Sequence, residues 1–325
     1  MKRVVCFGEA LIDFHGQIAP GDDAPAFIAH AGGAPANVAV AIARLGGEVA
    51  FVGMLGTDLF GDMIEQRLRE AGVDTRHLRR TDAARTALAF VALDATGERS
   101  FSFYRPPSAD LLFRDGDFDE DGFTDLSIFH CGSCSLTEPA IADATLSGMR
   151  RARGVGALVS FDMNLRPALW PREDDPAPRV WAALELADVV KLSADEFAFL
   201  VASAGDDKAV FERLWQGSTR LVIVTDGSAP IRWFTRFSSG GVPACPVRAV
   251  DSTGAGDAFV GAVLHGLAAS ATDAGAVEAL WADATRRDRL LRFAAACGAL
   301  AVMRAGSFAA MPEHSAVMAF LEKYR

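Results

Sequence analysis

Two glycine-rich segments carry the residue types that could do chemistry. In Asp251-Ser252-Thr253-Gly254-Ala255-Gly256-Asp257-Ala258-Phe259, a turn of small residues runs into a helix. Phe259, Val263 and Leu267, four residues apart, mark the buried face of that helix. The first N–H groups of a helix have no internal partner. Gly254, Ala255 and Gly256 leave them uncovered, so the segment predicts an anion hole. Asp257 lies in the first turn. There it could take the proton of an attacking hydroxyl while the amides hold a transferring phosphoryl group. By spacing alone it could equally be an acid that complements the helix dipole. The second segment is Gly32-Gly33-Ala34-Pro35-Ala36-Asn37-Val38, where a glycine pair again precedes a helix. Gly32 and Gly33 would let a small ligand approach the backbone, and the Asn37 amide could bond its hydroxyls. A plain loop with an Asn at the helix start fits the same letters.

These segments need a scaffold, and the hydrophobic pattern supplies one. Val4–Gly8, Val49–Met54, Leu126–His130, Ala157–Phe161, Val189–Leu192 and Leu221–Thr225 are short apolar runs that predict buried strands. Helical patterns lie between them. In residues 36–45, Val38, Ile42 and Leu45 share a face and Gly46-Gly47 ends the helix; residues 138–151, 194–200 and 207–215 are further examples. Strands alternating with helices predict an α/β fold with a mostly parallel sheet covered on both faces. Two stretches break the rhythm. Ile12, Phe14 and Ile18 alternate with polar residues, and 86–93 and 99–105 read as strands joined by Asp94-Ala95-Thr96-Gly97. Period-two strands predict a small, half-exposed antiparallel sheet inserted into the body. Its segments span approximately 12–30 and 86–105 of a single domain, 1–325. Asp13 then lies on the face opposite Ile12 and Phe14, toward the cleft. The acidic loop Asp115–Asp121 and the stretch Pro171–Pro178 read as solvated connections.

Composition bounds what such a protein can meet. Of 325 residues half are hydrophobic and 23% charged, which excludes disordered and fibrous classes. Lys plus Arg number 32 and Asp plus Glu 42, a net charge of −10. That balance argues against nucleic acid and anionic membranes as partners. No uninterrupted apolar run reaches about 18 residues, so no spanning helix is expected. The five scattered cysteines suit reduced thiols in a cytoplasm. Cys131-Gly-Ser-Cys134 has CxxC spacing but no second pair of ligands nearby, so it reads as two small residues near a strand end.

Taken together, the motifs resemble the ribokinase-like family of sugar kinases, the phosphofructokinase-B type, over nearly the whole chain. Gly8-Glu9 and Asp13 match its N-terminal strand and first sugar contact. Gly32 to Gly61, ending Gly53-Met54-Leu55-Gly56-Thr57-Asp58-Leu59-Phe60-Gly61, matches its first signature, and Asp251 to Phe259 its second. Three stretches look most like the fructokinases: Gly32 to Asn37, Phe103-Tyr104-Arg105-Pro106-Pro107-Ser108-Ala109-Asp110, and Phe161-Asp162-Met163-Asn164-Leu165-Arg166-Pro167-Ala168-Leu169-Trp170. The resemblance implies a three-layer fold with a small β-sheet lid, MgATP as phosphoryl donor and the 6-hydroxyl of fructose as acceptor. It implies Asp257 as base with Gly254, Ala255 and Gly256 as the anion hole. Asp13, Gly32, Gly33, Asn37, Arg105 and Arg166 would bind sugar. Ser193, Thr225, Gly227 and Ala295 would meet the nucleotide. Glu196 would orient the water shell of magnesium, in a motif where Ser193 replaces the usual Asn. Asp251, with Thr253 and Gly306, lies where some relatives bind a monovalent cation such as K+. Several relatives pair their lids, which implies a homodimer through the lid.

Rival readings remain at this level. Kinases of 2-keto-3-deoxygluconate use arginines at the positions of Arg105 and Arg166, so these two do not separate the activities. Another ketose or a nucleoside would also suit the family. A dinucleotide-binding oxidoreductase is disfavoured, because Gly154-Val155-Gly156 precedes its strand instead of following it. A sugar sensor without activity would not need Asp257 beside an intact glycine turn.

Overall fold

The computed structural model describes residues 3–17, 26–93, 99–270 and 273–323. The apolar runs form thirteen strands among these residues: β1 (Arg3–Phe7), β2 (Leu11–Gln17), β3 (Ala26–Gly32), β4 (Val49–Gly56), β5 (Leu78–Thr81), β6 (Leu88–Leu93), β7 (Arg99–Tyr104), β8 (Leu126–Gly132), β9 (Leu158–Asp162), β10 (Val189–Ser193), β11 (Leu221–Thr225), β12 (Ile231–Phe234) and β13 (Ser239–Val242). Nine build one sheet in the order β13-β12-β11-β10-β9-β8-β1-β4-β5. From β11 to β5 every neighbouring pair is parallel, and β12 and β13 close one edge antiparallel. All six expected strands lie in its parallel part. Ten α-helices accompany them: α1 (Ala34–Arg44), α2 (Leu59–Glu70), α3 (Pro139–Gly154), α4 (Ala177–Leu184), α5 (Ala194–Ala204), α6 (Asp207–Gln216), α7 (Ala255–Ser270), α8 (Ala274–Ala282), α9 (Ala284–Val302) and α10 (His314–Lys323).

Side chains from opposite faces of the sheet enter two separate cores. Val4, Cys6 and Ile128 pack with α1, α7 and α9, while Val5, Phe7 and Phe129 pack with α3 and α4. This is the period-two alternation of strands buried on both faces. Helix α7 lies between α1 and α9. Phe259, Val263 and Leu267 are buried as expected, but so are Ala258, Val260, Ala262 and Leu264, so the helix is apolar all round. No single helix among the described residues is long and apolar enough to cross a membrane.

The smaller sheet has the order β3-β2-β6-β7. Its pairs β2–β3 and β6–β7 are antiparallel, but β2 and β6 run parallel. The expectation of an antiparallel sheet is corrected there. The chain travels through α1, β4, α2 and β5 between those two strands, a crossover rather than a hairpin, and a crossover brings strands together in parallel. Ile18 and the turn Asp94-Ala95-Thr96-Gly97 lie outside the described residues. The acidic loop also departs from expectation. Phe118 is buried in an aromatic cluster with Phe7, Phe113 and Phe129, and Asp115 and Glu120 pair with Arg151 at 2.9 Å. The loop is docked because Phe118 buries its ring while Asp115 and Glu120 keep much of their exposure to water.

Candidate active site

The order of strands reverses direction on either side of β1: the chain goes from β1 outward to β4 and β5, then returns to β8 on its other flank. In such sheets the helices diverge and leave a crevice at the carboxyl ends of the strands. A cavity of about 960 Å3 opens there. Glu9 enters it from beyond β1, Cys134 from beyond β8, Asn164 and Arg166 from beyond β9, Lys191 and Ser193 from the end of β10, and Thr225 from the end of β11. Asp13 and Phe103 reach it from the smaller sheet, and Gly254 to Asp257 from the start of α7.

Asp257 is buried, and Asn37 Nδ2 donates to its Oδ2 at 2.7 Å. Two segments 220 residues apart thus meet in one hydrogen bond. Asn37 Oδ1 is buried and accepts nothing from the protein, so it can still receive a ligand hydroxyl. Burial pushes the Asp257 carboxyl up to about 6, against the pull of Asn37. A dipole-complementing acid on a helix surface would be exposed, so burial at the floor of a cavity favours the chemical role. Gly254 adopts φ +76, a conformation side chains disfavour, and turns the backbone so that the loop amides open on the cavity.

Asp13 is set at the opposite wall. Burial pushes its carboxyl up to about 7, and Ser307 Oγ donates to Oδ2 at 3.3 Å. Gly32 does not line the cavity. A Cβ there would stand 2.5 Å from Asp13 Oδ2, so this glycine makes room for the carboxylate and not for a ligand. Gly33 does line the cavity, with φ +102 and Glu9 O only 2.6 Å from where a Cβ would sit. Asp251 also lies behind the cavity wall. Its Oδ1 accepts from Thr253 N at 2.8 Å and its Oδ2 from Gly306 N at 3.2 Å, which braces the loop before the anion hole.

Arg105 is almost fully buried and committed to a partner: Nε donates to Asp110 Oδ2 at 2.8 Å, and Nη2 stands 2.6 Å from the same oxygen. Arg166 is exposed at the rim. Ser193 caps α5 and Glu196 returns the contact, while Leu165 N donates to the other Glu196 oxygen at 2.8 Å. Thr225, Gly227 and Ala295 line the far end of the cavity, where Val247, Ala299 and Val302 make an apolar wall. Every expected site residue except Gly32, Asp251 and Gly306 therefore lines one cavity. Sequence reasoning passed over Lys191, read Cys134 only as a small residue near a strand end, and gave Glu9 no role of its own. Lys191 had a signal, a charge inside the apolar run Val189–Leu192. Glu9 had another, an acid directly after a buried strand.

A family model described as the pfkB family carbohydrate kinase matches residues 1–314. The chain belongs to the pfkB family of carbohydrate kinases. Among pfkB relatives, a probable fructokinase-7 of Arabidopsis thaliana is 42% identical, covering 99% of this chain and 93% of its own length. A fructokinase of Xylella fastidiosa solved with bound ATP is 53% identical, with a TM-score of 0.95 over 99% of this chain and 98% of that one. A fructokinase of Vibrio cholerae O395 with fructose, ADP and calcium is 34% identical, with a TM-score of 0.85 over 99% of both chains. The pfkB resemblance drawn from the two glycine segments is thus borne out, and with it the mostly parallel α/β fold and its smaller sheet.

Proposed function

We propose that this pfkB kinase transfers the γ-phosphoryl group of ATP to the 6-hydroxyl of D-fructose. The observation that carries the choice of sugar is the commitment of Arg105 to Asp110. A sugar acid needs a free cation for its carboxylate. Here the Arg105 guanidinium is already neutralised, Arg166 stands exposed at the rim, and Glu9, Asp13 and Asp257 add three acids to the cavity. A neutral ketose avoids that field, and its vicinal hydroxyls suit a carboxylate and an amide such as Asp13 and Asn37.

In this mechanism Asp13, Gly33, Asn37 and Arg166 orient the sugar so that its 6-hydroxyl meets Asp257. Asp257 takes the proton as the oxygen attacks phosphorus in line, and the amides of Ala255, Gly256 and Asp257 receive the developing charge. The apolar wall around Ala295 holds the adenine, and Thr225, Gly227 and Ser193 meet the rest of the nucleotide. A divalent ion, magnesium in this proposal, would lie with its water shell near Glu196. The fit rests on donor chemistry: hard carboxylate oxygens, each with a lone pair left beyond its backbone partner. The ion supplies neutralisation of phosphate charge. Potassium would lie at Asp251, behind the anion hole. The smaller sheet acts as a lid whose closure excludes water as a competing acceptor. The whole chain works as one unit in the cytoplasm, where the reduced state of its free cysteines is preserved.

A panel of neutral sugars, sugar acids and nucleosides in a coupled ADP-release assay tests the substrate. Fructose should turn over with the highest kcat/KM. Strong turnover of 2-keto-3-deoxygluconate with none of fructose would overturn the assignment.

A further inference from the structure

Among the described residues three cationic side chains line the cavity: Arg105, Arg166 and Lys191. The first is held by Asp110 and the second stands at the rim, its Nη1 donating to Leu165 O at 3.2 Å. Lys191 alone of the three stands at the anion hole. It lies near the carboxyl end of β10, between Asp162 of β9 and Ile223 of β11 in register. Its neighbours Val190 and Leu192 point to the opposite face and into the core, so the strand alternation turns Lys191 to the cavity side. Nζ is 3.2 Å from Asp162 Oδ1, and the side chain is 11% exposed. A Cβ built on Gly256 would stand 3.2 Å from the same Nζ, which places the ammonium against the first turn of α7. Burial alone would lower its pKa, but Asp162 and Glu196 outweigh it and hold the amine protonated.

A buried lysine is costly unless it is paired, and the pair with Asp162 could serve the sheet alone. Two facts point past that role. An apolar pair of similar size would hold β9 to β10 at no desolvation cost. Moreover, an ammonium has three donors, and only one is bonded to Asp162, Nζ donating to Oδ2 at 3.3 Å, which leaves two for the cavity. We propose that Lys191 is a catalytic residue of the phosphoryl transfer, its Nζ donating to a terminal oxygen of the transferring group opposite the amides of Ala255 and Gly256. As the bond from the sugar oxygen to phosphorus forms, the bond to the β-phosphate oxygen breaks. The hydroxyl proton passes to Asp257, and Lys191 keeps all three of its protons. Its fixed charge offsets the negative charge spread over the equatorial oxygens. The proposal rests on the kinase reading above, and any acceptor sugar satisfies it.

The test compares the full-length wild type with Lys191→Met and with Lys191→Met combined with Asp162→Asn, which removes the orphaned carboxylate charge. The readouts are kcat, sugar KM, melting temperature, and calorimetric affinity for ADP and for a non-hydrolysable ATP analogue. Both variants should lose about 100- to 1,000-fold in kcat with sugar KM within about twofold. They should also lose about tenfold more affinity for the triphosphate than for ADP, the loss a charge-assisted contact worth about 1.4 kcal/mol produces. The double variant should recover the wild-type melting temperature without recovering turnover. Recovery of kcat together with stability in the double variant would overturn the proposal, since Lys191 would then only neutralise Asp162. Equal losses for ADP and the triphosphate would overturn it as well. If the wild type itself phosphorylated nothing, the kinase reading would fail, an outcome distinct from either.

Discussion

At the scale of single residues, the site works by setting similar acids in different surroundings. Asp257 is a buried carboxyl and Asp13 a half-buried one, pushed up to about 6 and about 7. Asp257 touches the anion hole and a donor amide, so it can accept a proton and then be stabilised as its charge changes. Asp13 touches a serine hydroxyl at the other wall, so it holds and does not react. A base must be ionised to act, so kcat/KM should rise with pH through about 6 to 7 and level off above it. The rate in an alkaline buffer should exceed that at pH 5 by at least about tenfold. Asp257→Asn keeps the shape and the bond to Asn37 while removing the base. Its kcat should fall at least about a hundredfold, with fluorescence-monitored melting at or above the wild-type temperature. Near-normal turnover would remove Asp257 from the mechanism.

At the scale of elements, the two glycine segments differ more than their letters suggest. The Gly254 segment exposes amides, whereas Gly33 lets the start of α1 press against the connection between β1 and β2. Glu9 O and Ala10 Cα crowd the place where a side chain would begin, and φ is +102. Gly33→Ala should therefore destabilise by at least about 1–3 kcal/mol, read as a lowered midpoint in urea. It should also weaken sugar binding, because Asn37 rides on that helix. Wild-type stability in this variant would show that the backbone at Gly33 can relax. The helix over 36–45 and the strand Val189–Leu192 were legible in the sequence because periodicity reports which face is buried. The parallel pairing of β2 with β6 was not. Alternation marks a half-buried strand but carries no information on its direction, which the long crossover decides. The acidic loop misled for a similar reason, since its charges dominate the composition while Phe118 and Phe123 decide where it packs.

At the scale of the whole molecule, the outer face of the smaller sheet is aromatic. Phe14 stacks on Phe90 at 4.9 Å, and Phe27 and Tyr104 meet Phe90 edge-on. Phe27 and Tyr104 remain 44% and 67% exposed, a contiguous apolar surface whose removal from water is favourable. We propose that a second copy covers it, forming a homodimer. Sedimentation of the wild type should report a dimer, and Phe27→Asp with Tyr104→Asp should report a monomer. A monomeric wild type at micromolar concentration would sink the proposal. The net charge of −10 argues against nucleic acid. It does not stand against a phosphate-rich substrate, because in the proposed mechanism backbone amides and one lysine carry that contact, and none of the amides enters a count of Lys and Arg. By itself, the sequence determined six strands of the parallel body, the helices over 36–45, 138–151, 194–200 and 207–215 and the one that follows Asp251, the two glycine turns and the residues Asp13, Asn37 and Asp257. Those are local properties of spacing and side-chain type. Tertiary structure alone decided that Asn37 donates to Asp257, that Arg105 is spent on Asp110, and that Lys191 stands at the anion hole. The first and the third depend on elements far apart in sequence meeting at the carboxyl ends of the strands, and the Arg105 pair, only five residues apart, on burial forcing a charge to find its partner.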